Sequence, residues 1–162
     1  MRIEFIIAIV IILIALAALL PRKSVHAELQ FEQSAAVVWA AIVDTGGYDA
    51  WNPIFQKLRG EFVAGTEMAF EMRVSDGSFS PVTAKVVAVT PEQLLHQSAG
   101  IPGVLTANHQ WRLEANDAGT LVIQHEEYRG AGVLFYNPAY VQTLYQQGLE
   151  ALRERFAGAE GN

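Results

Sequence analysis

Between Ile54 and Arg129 the chain alternates apolar and polar residues in runs separated by short turn signals, and no other feature constrains its fold as tightly. Met68, Phe70, Met72 and Val74 alternate with Glu67, Ala69, Glu71 and Arg73, the period of two expected of a strand with one face buried. The same reading predicts strands over Ile54 to Phe62, Phe79 to Thr90, Gln93 to Ala99 and Leu121 to Arg129, and one whose shared face carries Leu105, Ala107, His109, Trp111 and Leu113. Turns at Ala64-Gly65-Thr66, Asp76-Gly77, Pro91-Glu92, Gly100 to Gly103 and Asn116 to Gly119 link them. Connections this short cannot join parallel neighbours, so the six strands form an antiparallel meander.

What flanks the meander sets the fold class. Val25, Ala27, Leu29 and Phe31 alternate with polar residues, predicting a further strand from Val25. Ser34 is placed to cap a helix from about Ala35 to Asp44, with Val38, Trp39, Ile42 and Val43 apolar. Thr45-Gly46-Gly47 ends it, a helical turn follows at Tyr48 to Trp51, and Asn52-Pro53 stops the turn. Trp51 is read as a plug at one end of the core, with Asn52 satisfying local backbone. After Gly130-Ala131-Gly132 comes the apolar run Val133 to Tyr136, read as core under the last helix or as a cavity lip touching lipid. Asn137 and Pro138 suit the N-cap and first position of a closing helix to about Ala157, with Gly158 beyond it. Val141, Leu144, Tyr145, Leu149, Leu152 and Phe156 form one apolar stripe on that helix. The class is therefore α+β: a curved antiparallel sheet of about seven strands wrapped on a long C-terminal helix.

The mean hydropathy of +0.20 and the 51% hydrophobic content come largely from the N-terminus. Residues 1–20 hold 18 hydrophobic residues, and Phe5 to Leu20 is uncharged and apolar. As a helix, those 16 residues span roughly 24 Å, short of a ~30 Å hydrocarbon core. Ile3, Pro21 and snorkelling of Arg2, Arg22 and Lys23 make up the difference. A single hydrophobic helix anchoring residues 1–24 competes with a cleaved signal peptide ending at Val25-His26-Ala27. The anchor is favoured, because cleavage after Ala27 removes part of a strand and because Arg22-Lys23 fits a membrane flank. The expected organisation is a membrane anchor over 1–24 with contact through residues 3–20, a domain over 25–158 and an unstructured tail over 159–162. The side of the membrane is left open; a cleaved segment implies a secreted or periplasmic domain. From Glu28 onward the chain has 8 Lys and Arg against 16 Asp and Glu, the opposite of the basic footprint that nucleic acid requires. Without cysteine there is no disulfide, thiolate metal site or thiol nucleophile.

Several stretches are similar to the START/SRPBCC (Bet v 1-like) superfamily and, within it, to the polyketide cyclase/dehydrase-like branch. They are Val38-Trp39-Ala40-Ala41, Tyr48-Asp49-Ala50-Trp51-Asn52-Pro53, Gly100-Ile101-Pro102-Gly103-Val104-Leu105, His109-Gln110-Trp111-Arg112-Leu113-Glu114 and His125-Glu126-Glu127-Tyr128-Arg129-Gly130. The resemblance runs from about Val25 to Gly158. It implies the helix-grip fold, with a cavity between sheet and C-terminal helix that holds lipids, steroids, polyketides or other apolar molecules. None of these stretches is a catalytic signature.

The cavity reading assigns strand faces. Met68, Phe70, Met72, Leu105, Ala107, His109, Trp111, Ile123, His125 and Glu127, with Leu144 and Tyr145 from the helix, are the expected ligand-binding wall. Arg129 shares the same parity. If Asp117-Ala118-Gly119 is a three-residue loop, Asn116 pairs with Thr120, His109 faces Glu127 and Trp111 faces His125. His109 and Glu127 would then be a candidate acid/base pair; a four-residue loop breaks the alignment. A hydrogen-bonded polar pair in a wet cavity is the preferred reading of those two residues. The spacing of His109, His125 and Glu127 matches no metal-ligand motif. No metal or cofactor is expected, and His26 and His96 carry no signal. A phosphate loop, a Gly-x-Ser-x-Gly elbow and a His-Glu-x-x-His motif are all absent. Three functions follow: a membrane-tethered binder of an apolar or amphipathic, lipid-like small molecule; a cyclase, dehydratase or hydrolase-type enzyme; or a protein-interaction module at the membrane.

Overall fold

The computed structural model describes residues 5–7 and 21–159 of the chain. Seven strands form one antiparallel sheet: β1 (Arg22–Phe31), β2 (Phe55–Arg59), β3 (Glu67–Arg73), β4 (Phe79–Thr90), β5 (Leu94–Ile101), β6 (Leu105–Asn116) and β7 (Gly119–Arg129). The spatial order is β1-β7-β6-β5-β4-β3-β2, so the meander runs unbroken from β2 to β7 and β1 adds to its far edge. Within residues 21–159 the helices are α1 (Ala35–Val43), α2 (Tyr48–Trp51) and the closing α3 (Ala139–Ala159). Single 3₁₀ turns stand at Thr45–Gly47 and Ala131–Leu134. This is the helix-grip arrangement.

The core lies between the concave sheet face and α3. Val141, Tyr145, Leu149 and Leu152 are at most 1% exposed, and each such side chain contributes about 1.5–3 kcal/mol of burial. Phe31 of β1 meets Phe156 of α3 edge to face, with ring centroids 6.1 Å apart. Asn52, 2% exposed, accepts the N–H groups of Ile54 and Phe55 on its Oδ1 at 2.8 and 2.9 Å. That turns the chain from α2 into β2. Trp51 stays half-buried, its ring tilted against that of Tyr48 and facing the Arg155 guanidinium.

Several boundaries differ from the sequence reading. β1 begins at Arg22 rather than Val25, because Arg22, Lys23 and Ser24 pair with Arg129, Tyr128 and Glu127. An exposed triplet without apolar alternation gave no sign of this pairing. β2 is shorter than Ile54 to Phe62: the Asn52 turn holds Ile54, Lys57 is bulged at φ 54°, and Gly60 turns away at φ 110°. α3 continues through Gly158 to Ala159. Ser34 occupies the N-cap position of α1 but makes no side-chain cap bond, whereas Asn137 Oδ1 accepts the Ala139 N–H at 3.2 Å. Val133 is buried, but Leu134 and Phe135 of the same run are exposed.

The register correction matters most. Asn116 pairs with Gly119, not Thr120, so the loop holds only Asp117 and Ala118. Ala118 N–H bonds to Asn116 Oδ1 at 2.9 Å, closing the turn one residue early. Every residue of β7 is thereby one place from its expected partner. His109 faces Glu126, Trp111 faces Gln124, and His125 faces Gln110.

Among the described residues no helix is long and apolar enough to cross a membrane. The expected anchor lies outside the described residues except for Phe5 to Ile7, which are helical and exposed, and residues 160–162 of the expected tail also lie outside them.

Candidate functional site

A cavity of about 250 Å³ opens between the sheet and α3. Its walls follow from strand parity. β6 contributes Leu105, Ala107, His109 and Trp111; β3 contributes Phe70 and Met72; α3 contributes Tyr145. These seven are where the alternation placed them. Met68 and Leu144 are buried in the adjoining core rather than on the cavity wall.

Ile123, His125 and Glu127 are on the other side of the sheet. The one-residue register shift turns the odd positions of β7 outward, because successive strand side chains point to opposite faces. His125 sits 6.1 Å ring to ring from His26 of β1, and Glu127 binds Arg129 on the exposed surface. The His109–Glu127 pair therefore does not form. The inward positions of β7 are Glu126 and Tyr128, both on the cavity wall, followed by the fully buried Gln124 and Val122.

Glu126 is the one charged side chain on the wall among the described residues. It is 6% exposed, and its Oε2 accepts the Tyr145 hydroxyl at 2.7 Å and the Tyr128 hydroxyl. Burial pushes its carboxyl pKa up, against the pull of those two hydroxyls. Burial and the neighbouring carboxylate in turn push both tyrosines well above their ordinary range, so they are donors at any working pH.

His109 stands opposite this group. It is 8% exposed and boxed by the rings of Tyr145, Phe55 and Trp111 at 5.1, 5.8 and 5.9 Å. Burial, reinforced by His96 and His125, lowers its pKa from 6.5 to about 3. It is a neutral imidazole at physiological pH, and one ring nitrogen can donate while the other accepts. Its Nε2 is buried and has no hydrogen-bond partner among the described residues. Seven buried side-chain atoms lack a partner among the described residues, and His109 Nε2 is the one whose residue lines the cavity. Chemically, the site offers one neutral imidazole, a tyrosine–carboxyl–tyrosine relay and the buried amide of Gln97, which pairs with His109 in the ladder, on a largely apolar wall. Among the described residues no group of three His, Cys, Asp or Glu is placed to hold a metal.

Sequence reasoning missed Glu126 and Tyr128, together with the wall residues Tyr48, Phe55, Leu58, Phe62 and Tyr136. Tyr128 was the available signal, an aromatic residue on the even parity of β7. Leu121 and Ile123 on the odd parity masked it.

The family described as polyketide cyclase/dehydrase and lipid transport matches residues 22–157. No curated protein sequence matches the chain. A solved protein of Rhodobacter sphaeroides shares 15% identity at a TM-score of 0.70, over 85% of this chain and 93% of its own. Ara h 8.0201 is similar at 18% identity and a TM-score of 0.63, over 88% and 100%. The di-domain ARO/CYC StfQ from the steffimycin biosynthetic pathway is similar at 11% identity and a TM-score of 0.67, over 85% of this chain and 52% of StfQ. Likenesses at these identities show the fold.

Proposed function

Since the chain belongs to the polyketide cyclase/dehydrase and lipid transport family, we propose that its cavity binds a small, largely apolar molecule with one uncharged polar group, and that the N-terminal segment tethers the domain to a membrane. One observation carries the binding reading: His109 Nε2 is left without a partner on a largely apolar wall whose carboxylate, Glu126, is already taken by two tyrosine hydroxyls. A ligand hydroxyl, amide or carbonyl would supply what that nitrogen lacks, depending on its tautomer.

Charge narrows the class. No Lys or Arg lines the cavity among the described residues, so a ligand carboxylate or phosphate would be buried without a counterion and beside Glu126. That costs several kcal/mol per ion. Size narrows it further. The cavity of about 250 Å³ lies just below the usual ~300–1,000 Å³ of ligand pockets. It suits a compact ring system or a single medium chain rather than a whole two-chain lipid. Tethering is supported by the 16 apolar residues Phe5 to Leu20 leading directly into β1.

Native mass spectrometry of the full chain, released from mild detergent, tests the binding. A co-purifying neutral molecule, or saturable uptake of the neutral dye Nile red, is the expected result. Ala107→Trp, which fills the cavity from β6, should abolish either. A folded chain that carries no molecule and takes up no dye would overturn the reading.

A further inference from the structure

The cavity mouth carries a second pattern. Gly100, Leu105 and Tyr136 line the cavity and are at least partly exposed. Each has a chain neighbour that is a large apolar side chain facing solvent: Ile101 at 65%, Val104 at 57% and Phe135 at 92% exposure. Leu134 adds another at 66%. Of the seven exposed large hydrophobics in residues 21–159, four stand on this rim, on two segments tied together by the Ala131–Gly103 and Gly132–Val104 hydrogen bonds. Soluble surfaces scatter such side chains singly; a contiguous set marks a contact surface.

Two further observations identify what the rim meets. The first is where the apolar N-terminal segment ends. Pro21, the residue after Leu20, accepts the Gly130 N–H on its carbonyl at 3.3 Å. Gly130 opens the 3₁₀ turn that carries Leu134 and leads to Phe135, and Gly132 of that turn bonds the Val104 carbonyl at 2.7 Å. Lys23 Nζ donates to the Tyr136 carbonyl at 2.7 Å. Pro21, the first described residue of the domain, thus stands at this end of the sheet and not at the far one. The second observation is charge. In a chain of net charge -6, Arg22, Lys23 and Arg129 gather at this end, with Arg22 paired to Arg129 in the ladder. Glu127 partners Arg129 there and leaves a local excess of positive charge. Apolar side chains flanked by cations fit an anionic lipid surface; a protein partner is an outcome of the test below.

We propose that the rim formed by Ile101, Val104, Leu134 and Phe135 lies against the lipid bilayer, so that the cavity mouth faces the membrane in which the N-terminal segment is held. This rests on the tethering reading above, which supplies the bilayer, but not on what fills the cavity. A ligand then passes between acyl chains and cavity without crossing water.

The absence of cysteine allows single-site labelling. Full-length Phe135→Cys, Ile101→Cys and Asp117→Cys chains, each carrying an environment-sensitive fluorophore, are reconstituted into vesicles of phosphatidylcholine with phosphatidylglycerol. Doxyl-labelled acyl chains then report depth. Labels at 135 and 101 should shift to the blue and be quenched at least about fivefold more than the label at 117, on the opposite sheet end in the β6–β7 turn. Either rim position suffices should the other disturb the fold. Rim labels as aqueous as the one at 117 in floated vesicles overturn the proposal, and so does a chain that does not float with vesicles. Rim labels that are shielded but not quenched by doxyl lipids indicate a protein partner and overturn it too. The binding reading fails separately: an empty cavity beneath a lipid-quenched rim removes the ligand and leaves the docking face standing.

Discussion

His109 shows how one side chain's surroundings set both its chemistry and its effect on stability. Three rings and the sheet exclude water, so the charged imidazole is disfavoured and the pKa falls from 6.5 to about 3. Between those values the unfolded chain binds a proton that the folded chain refuses. The group's stabilising contribution is therefore full above pH 6.5 and is lost as pH falls toward about 3. At 1.36 kcal/mol per unit, moving from pH 7 to pH 5 should cost the natural chain about 2 kcal/mol relative to His109→Phe. Urea unfolding of both chains at the two pH values measures the difference. Glu126 has the opposite sign, since its raised pKa favours the fold at low pH and opposes it as pH rises. It is present in both chains and drops out of the comparison. Equal pH dependence in the two chains would show that the imidazole is not buried as described. Sequence placed His109 on the inward face because its parity matched that of Trp111. It could not show Glu126 beside it, since that depends on the length of the loop at the far end of both strands.

At the level of elements, the β6–β7 turn decides the site. Gly119 has φ 116°, and a Cβ there would lie 2.2 Å from the Phe31 carbonyl oxygen of the neighbouring strand. Glycine's freedom at positive φ and its lack of a side chain are both needed to bring β1 against the turn. Gly65 is a natural control, with φ 94° but open space around it. Gly65→Ala should cost about 1 kcal/mol for backbone strain alone. Gly119→Ala should cost about 2 kcal/mol or more, because the carbonyl must also move. Chemical denaturation of the two variants tests the contrast, and equal losses would remove the role of the close approach. Strand existence and α3's stripe were legible from period two and from spacing three and four. The exact loop length was not. Asn116, Asp117, Ala118 and Gly119 are all competent turn residues, and a one-residue choice among them reverses which face of β7 meets the cavity.

For the whole molecule, the N-terminal boundary has a direct consequence. Residues 22–27 pair with 124–129 of β7, and Val25 and Ala27 are 3% and 5% exposed. A chain beginning at Glu28, as cleavage after Ala27 would leave, bares the β7 edge and opens the core beneath α3. It should fail to melt cooperatively, whereas a chain beginning at Pro21 should match the full chain's domain transition; circular dichroism on both chains decides. Cooperative melting of the shorter chain would restore the signal-peptide reading. By itself the sequence determined the order of elements, the antiparallel meander, the amphipathic closing helix and the inward faces of β3 and β6, because local periodicity and short connections are properties of contiguous residues. Tertiary structure alone decided that Glu126 and Tyr128 rather than His125 and Glu127 face the cavity, and that Pro21, the Arg22–Arg129 pair and the exposed rim share one end of the sheet. Those facts depend on hydrogen-bond register and on contacts between residues some hundred positions apart, and no local pattern encodes them.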